Sequence, residues 1–488
     1  MPGILKVSGE HIVDSTGTPV ILRGAGLGGW MKSVLPFLPI PPHSFPFLTW
    51  VRKHSMENFI TGYPGQEHQH RAAMLKVLGP EKYNYFFEQF LHQFFTASDA
   101  RFFRSLGLNC LRIPFNYRYF ESPLNPRVLI PSGFHHLDRI ISLCSAEGIY
   151  VILDLHSLPG GQNPDWHSDN PSNWAGFWEE RDYQDRVVWL WEQVAGRYKD
   201  NEWVAGYNPV NEPCDAEHTR LLAFYDRIEE AIRKVDPNHI LWLDGNTFAA
   251  DFSAFNKVLP NCVYALHDYS NMGFPAGDRY KGTPEQNDKL ERQYLRKAEF
   301  MMSHKSPVWN GEFGPVYSPP SEPEATTINQ ERIALLGQQL KIYDKYKISW
   351  SIWTYKDIGV QGMIYTSPES KWISTLKPFL DKKQAIQADA WGYHPNPEVD
   401  AIFKPLVEWI KKVAPEVENK YPTTWNTERH VARVVKQCLI SECLSMEFAK
   451  YFEGMGFEEL EEMAKSFSFE KCAQREELNR TLRDHAGI

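Results

Sequence analysis

The stretch Tyr207-Asn208-Pro209-Val210-Asn211-Glu212-Pro213 reads as a short strand whose exit is fixed, because Pro213 forbids any regular continuation beyond Asn211 and Glu212. The same design recurs in Val308-Trp309-Asn310-Gly311-Glu312-Phe313-Gly314, where an apolar run ends in a Glu bracketed by glycines. Working outward, six more short apolar runs have the length of strands: Ile21 to Gly24, Leu108 to Pro114, Ile149 to His156, Ile240 to Asp244, Val263 to His267 and Ile348 to Trp353. Amphipathic segments lie between them, among them Tyr183 to Tyr198, Thr219 to Val235 and Gln330 to Tyr346. Short strands alternating with helices predict a parallel sheet, and eight such units predict an α/β fold of the closed (β/α)₈ TIM-barrel type.

A barrel of this kind carries its chemistry at the C-terminal ends of its strands. The predicted strand ends hold Arg112, His156, Asn211 with Glu212, His267 with Tyr269, Glu312 and Trp353. Each has an ordinary explanation alone: a turn Glu is most often solvated, and Arg112, His156 or His267 could be satisfied structural residues. Their recurrence in register is harder to dismiss. Two strand-end glutamates are the minimum equipment for glycoside hydrolysis, in which one carboxylic acid protonates the leaving oxygen while a second carboxylate attacks the anomeric carbon. On this reading Glu312 stays ionised beside Arg112. The charge of Glu312 is expected to raise Glu212, keeping it protonated as the acid.

Composition agrees with a folded protein acting on sugars. Apolar residues make up 42% and charged residues 23%, with aromatics high at 14%, including 16 Trp. Aromatic faces suit the C–H faces of pyranoses, although most Trp are expected to fill core. A net charge of −9 without a basic stripe argues against nucleic acid as a partner. The 7 cysteines are scattered, odd in number and without a Cys-x-x-Cys pair, so neither a disulfide framework nor a metal site is expected, and no cofactor is indicated. No basic segment followed by an apolar core opens the chain, and no run is long enough to span a membrane, so a cytoplasmic monomer is expected. Unconventional export leaves no readable mark.

Residues 1–413 are read as the catalytic barrel and 414–488 as a C-terminal helical extension packed on it. Within the first part, 33–55 carries Pro36, Pro39, Pro41, Pro42 and Pro46, which excludes a helix or central strand and reads as a loop insertion or an error of the gene model. A strand pair is expected around Ile12-Val13 and Val20 to Leu22. The glycine-rich Arg23-Gly24-Ala25-Gly26-Leu27-Gly28-Gly29-Trp30 lacks the order of a nucleotide-binding loop. In the tail, Val431, Val434, Val435, Cys438, Leu439, Leu444, Phe448, Tyr451 and Phe452 form a helical apolar stripe that needs a partner surface.

Asn211-Glu212-Pro213, Gly311-Glu312-Phe313-Gly314, Leu111-Arg112-Ile113-Pro114, Asp154-Leu155-His156, His267-Asp268-Tyr269 and the Trp353 strand end together resemble glycoside hydrolase family 5, the retaining cellulase-like family. The resemblance implies Glu212 as acid/base and Glu312 as nucleophile, with Asn211 on the sugar 2-hydroxyl and Arg112 and Tyr269 around the nucleophile. It further implies His156 and His267 lining the sugar subsite and Trp353 as its floor. Leu155-His156-Ser157-Leu158-Pro159-Gly160-Gly161-Gln162-Asn163 is similar to the fungal exo-β-glucanase, β-glucosidase and diglycosidase branches, which implies a carbohydrate or glycoside substrate attacked at a chain end. The alternatives are an endo-β-glucanase, a glycolipid hydrolase, or a catalytically silent carbohydrate-binding barrel.

Overall fold

The computed structural model describes residues 3–31, 61–62, 65–388 and 396–487. The proline-rich 33–55 stretch lies outside the described residues. Eight parallel strands close into a barrel: β1 (Arg23–Gly26), β2 (Cys110–Asn116), β3 (Tyr150–Ser157), β4 (Val204–Asn208), β5 (Ile240–Asp244), β6 (Cys262–His267), β7 (Val308–Glu312) and β8 (Ser349–Ile352), which pairs back onto β1. All eight are buried along their whole length, as strands covered on both faces must be.

What fills the barrel decides where a site can lie. Cys110, Ile152, Ala205, Trp242, Val263, Ala265 and Trp309 form one apolar cluster together with Leu5 and Ile12 of an N-terminal hairpin. The Trp242 and Trp309 rings meet at 4.9 Å. The N-terminal end of the barrel interior is therefore filled by side chains, and the polar strand-end residues gather at the C-terminal mouth. In that hairpin His11–Val13 pairs along its length with Lys6–Ser8, and the expected pairing with Val20 to Leu22 shrinks to a bridge between Val13 and Pro19 and one bond from the Val20 N–H to the Ile12 carbonyl. Gly9, at φ 59, permits the tight turn that brings the nearer strand into register.

Helices α1 (Glu67–Phe94), α2 (Ala97–Ser105), α3 (Ser132–Ala146), α4 (Arg181–Tyr198), α5 (Arg220–Val235), α6 (Pro284–Ser303), α7 (Ala325–Lys345) and α8 (Lys371–Ala385) lie around the strands. α1 breaks at Gly79, where φ is 71 and Pro80 follows. Beyond α8 come α9 (Pro397–Val413), α10 (Thr427–Ala432), a π-helical turn (Arg433–Ile440), α11 (Ser441–Lys450), α12 (Phe457–Lys465) and α13 (Glu476–Ala486). A small sheet sews this tail to the barrel: β9 (Lys356–Asp357) pairs with β10 (Ile364–Thr366), and β11 (Cys472–Gln474) runs antiparallel to β10.

Part of the tail's apolar stripe finds its partner. Phe448 and Phe452 pack on Trp372 of α8, and Phe452 also meets Phe86 of α1 at 5.5 Å. Val434 and Leu439 stay exposed at 48% and 63%. The wider i→i+5 winding of Arg433–Ile440 rotates them off the face that a 3.6-residue period assigns them. Among the described residues no helix is long and apolar enough to cross a membrane.

Candidate active site

Glu312 closes β7 at the mouth of the barrel, 5% exposed. Arg112, wholly buried on β2, donates one guanidinium nitrogen to Glu312 Oε1. Its other terminal nitrogen reaches Asn211 Oδ1 at 2.6 Å, Asn208 Oδ1 at 3.1 Å and Asp154 Oδ2 at 3.1 Å. Burial pulls such a guanidinium down, but Asp154, Glu312 and Asp244 outweigh it and push Arg112 above its ordinary value, so it is a permanent cation. The Tyr269 hydroxyl donates to the second oxygen of Glu312 at 2.9 Å.

Glu212 leaves the end of β4 at φ 47, a left-handed conformation that costs a non-glycine residue about 1–2 kcal/mol. Its backbone is held on both sides. The Glu212 N–H donates to Asp244 Oδ2 at 2.9 Å, and the Asn163 side-chain amide donates to its carbonyl at 3.0 Å. The turn aims the carboxyl across the mouth, where one of its oxygens comes within 4.8 Å of one of Glu312. His267 Nδ1 lies 2.7 Å from Glu212 Oε1 and 3.8 Å from Glu312 Oε2. Glu212, His267 and Glu312 are grouped closely enough to hold a cation, but Arg112 already supplies positive charge at Glu312.

The electrostatics of Glu212 differ from the expectation of a raised acid. Burial does push its carboxyl up, but hydrogen bonds to His167 and His267, with the charges of these imidazoles, outweigh that and hold it well below the usual carboxylate range. His167 Nε2 sits 3.0 Å from Glu212 Oε2, a contact that comes from a loop and not from a strand end. His267 moves the other way: burial lowers it, yet the facing charges of Glu312, Glu212 and Asp244 leave it raised.

The rest of the pocket is built on close approaches. His156 Nδ1 lies 2.8 Å from Asp154 Oδ2, and its ring stacks on Trp353 at 5.4 Å and 7°. Trp353 follows β8 and lies over β1, where a Cβ on Gly26 or Gly28 would come within 2.7 Å of the indole. The glycine run after Arg23 is thus the bed of an aromatic floor. Gly311 has the same use, since a Cβ there would stand 2.8 Å from His267 Nε2. Trp166 and Trp353 form an apolar cluster of their own with Tyr269, separate from the core.

Arg112, His156, Asn211, Glu212, His267, Tyr269, Glu312 and Trp353 therefore meet around one mouth. His267 stands on the Glu212 carboxyl and faces both carboxylates. Asp154 and Asp244 were within reach of sequence reasoning: Asp154 is two residues before His156 and so on the same face of β3, and Asp244 ends β5. His167 and Trp166 lie in a long loop whose sequence has no period to place them.

The family model described as cellulase, glycosyl hydrolase family 5, matches residues 80–359. The chain is 51% identical to a β-xylosidase of Phanerodontia chrysosporium over 99% of its own length and 98% of that protein's. It is 28% identical to a probable glucan 1,3-β-glucosidase A of Aspergillus clavatus over 51% of its own length and 55% of the relative's. Its fold resembles a crystal structure of an endogalactoceramidase, with a TM-score of 0.51 at 16% identity over 73% of this chain and 75% of the other. With the match over the barrel and the near full-length relative, the chain belongs to glycoside hydrolase family 5 and is a glycoside hydrolase.

Proposed function

We propose that the protein is a retaining, exo-acting β-glycosidase whose substrates are β-xylosides, with Glu312 as nucleophile and Glu212 as acid/base. The observation that supports this most is that a carboxyl oxygen of Glu212 lies within 4.8 Å of one of Glu312. Inverting enzymes hold their carboxyls roughly 6.5–9.5 Å apart to seat a water between them, whereas retaining enzymes hold them about 5–5.5 Å apart. Glu312 then attacks the anomeric carbon as the bond to the leaving oxygen breaks, and the proton for that oxygen comes through Glu212. In the second step Glu212 takes a proton from water, which attacks the anomeric carbon and releases Glu312.

The proton needs a store, because Glu212 alone holds it poorly in the free enzyme. His267, whose Nδ1 lies 2.7 Å from Glu212 Oε1, is placed to be that store. Its raised affinity for a proton rests in part on the charge of Glu312, and that charge is consumed as the covalent bond forms. The proton is then released through Glu212, 2.7 Å away, as the leaving oxygen gains charge.

A β-xyloside is favoured by the relative that is 51% identical over nearly all of both chains and named a β-xylosidase. Attack at a chain end is favoured by enclosure, since Glu212 and Glu312 are only 9% and 5% exposed. The test is hydrolysis of 4-nitrophenyl β-xyloside, 4-nitrophenyl β-glucoside, xylan and β-glucan, with the first-formed anomer read by proton NMR. The aryl xyloside should be cleaved best and release β-xylose. First release of the α-anomer would overturn retention, and faster cleavage of a polymer than of the aryl glycosides would overturn exo action.

A further inference from the structure

The C-terminal extension, which lies beyond the matched family region, reaches two loops that neighbour Glu212. There the segment after β5 takes a conformation that non-glycine residues avoid: Thr247, Phe248 and Ala249 follow one another at φ 52, 59 and 57. The tail holds this turn. The Tyr421 hydroxyl bonds Thr247 Oγ1 at 2.9 Å and Asn246 Oδ1 at 3.4 Å, while Trp425 stacks on Phe248 with ring centroids 5.7 Å apart and planes at 19°. Trp425 is buried at 4% and has the Arg429 guanidinium 4.8 Å from its ring, so it is backing rather than surface. Phe248 remains partly exposed.

The same stretch of tail fixes the loop that carries His167. Arg433, fully buried in the π-helical turn, donates to the carbonyls of Pro164 and Asn170 at 2.7 Å each, and Arg429 pairs with Asp165 at 3.4 Å. His167 links the two loops to the chemistry: its ring centre lies 6.2 Å from that of Phe248, and its Nε2 lies 3.0 Å from Glu212 Oε2. The Phe248 N–H also donates to the carbonyl of Pro213, next to Glu212, at 3.2 Å. Phe248 therefore stands next to the acid/base carboxyl, joined to it through His167 and the Pro213 carbonyl, whereas Glu312 is held by Arg112 and Tyr269.

We propose that Phe248, backed by Trp425, is the platform for the first ring of the leaving group, and that the C-terminal extension thereby sets what the enzyme cleaves from the sugar. The occupant is a flat-faced ring, a β-linked pyranose or an aryl group, whose apolar face lies on the Phe248 ring. Trp425 acts through Phe248 and is a positioning residue. The proposal rests on the β-xylosidase reading above.

The test compares β-xylobiose, whose leaving group is a pyranose, with β-xylosyl fluoride, whose leaving group is a single atom. The kcat/KM ratio of xylobiose to fluoride should fall about 2- to 10-fold in Phe248→Ala and in Trp425→Ala, the span expected for loss of one ring-stacking contact, and Trp425→Phe should recover most of it. Capture of the xylosyl-enzyme by methyl β-xyloside rather than water should fall in parallel. Phenyl β-xyloside in place of xylobiose shows whether an aryl ring takes the same platform. A ratio unchanged in Phe248→Ala, or equal losses on both substrates, overturns the proposal while leaving the β-xylosidase reading standing. A parent enzyme that cleaves neither substrate overturns that reading and this proposal together. If Trp425→Ala does not fold, Phe248→Ala and Trp425→Phe still decide the matter.

Discussion

Replacing His167 by Ala should shift the basic limb of the pH–rate profile upward. In the parent, both oxygens of Glu212 are held by imidazoles, His267 Nδ1 at 2.7 Å and His167 Nε2 at 3.0 Å, and these contacts favour the carboxylate over the acid. A hydrogen bond to a charged group contributes about 1.5–3 kcal/mol, and about 1.4 kcal/mol corresponds to one pKa unit, so losing one such bond shifts the carboxyl by roughly 1–2 units. Water entering the space left by the ring supplies a weaker donor, so about one unit is expected. The sign is fixed, because removing a partner of the charged form raises the pKa. In the proposed mechanism Glu212 and His267 share the proton given to the leaving oxygen, so the basic limb belongs to the pair and should move to higher pH in kcat/KM for phenyl β-xyloside. A carbon-13 titration of labelled glutamate would locate the change at Glu212. A basic limb that stays put or moves down would refute the role given to His167.

Removing each carboxylate separates their roles. Glu312→Ala should abolish natural turnover and, given azide and an activated β-xyloside, should yield the α-azide; Glu212→Ala should slow poor leaving groups about 10²- to 10⁴-fold and yield the β-azide, with exchanged configurations in carbon-13 NMR refuting the assignment. Gly26→Ala places a Cβ 2.7 Å from the Trp353 indole, so a loss of about 1–3 kcal/mol in urea unfolding is expected together with a raised KM, and unchanged values of both would contradict the account of the floor. The Glu212–His267 pair should also leave a mark on stability against pH. Glu212 is depressed, so its contribution is present above the ordinary Glu value of about 4.3 and lost as pH falls below it; His267 is raised, so its contribution is present below about 6.5 and lost as pH rises through its higher folded value. The stability difference between parent and Glu212→Gln should therefore favour the parent most between about pH 4.5 and 6.5 and shrink above that window, as read by chemical unfolding at each pH.

The residues that were legible in the sequence share one physical property: a strand places them. Once Asn211 and Glu212 follow β4 and Glu312 ends β7, closure of the parallel barrel leaves them no position but its C-terminal rim, and His156, His267 and Trp353 follow by the same rule, whereas Arg112 lies inside β2 and reaches Glu312 through its long side chain. The fold was readable for the same reason, since buried parallel strands write themselves as continuous apolar runs. Where the chain leaves that periodic regime, reading stops. The i→i+5 winding at Arg433–Ile440 defeated the 3.6-residue stripe, and the winding places Arg433 where it grips the loop bearing His167.

The same limit explains why the neighbouring carboxylate alone does not set the electrostatics of Glu212. Two carboxylates facing one another do raise each other, and a strand end carrying His267 does not by itself say which way its imidazole turns. What reverses the outcome is His267, whose orientation depends on the space left by Gly311, and His167, which comes from a loop with no periodic signal. That loop is held by Arg429 and Arg433, residues far along the chain in the tail. The placement of the two carboxylates is thus a property of the barrel, while the position of His167 against Glu212 depends on contacts between a β3 loop and the C-terminal extension. A relative that keeps every strand-end residue but lacks Arg433 would retain the two carboxylates in place and lose the fixed position of His167, so its Glu212 should titrate closer to an ordinary buried glutamate.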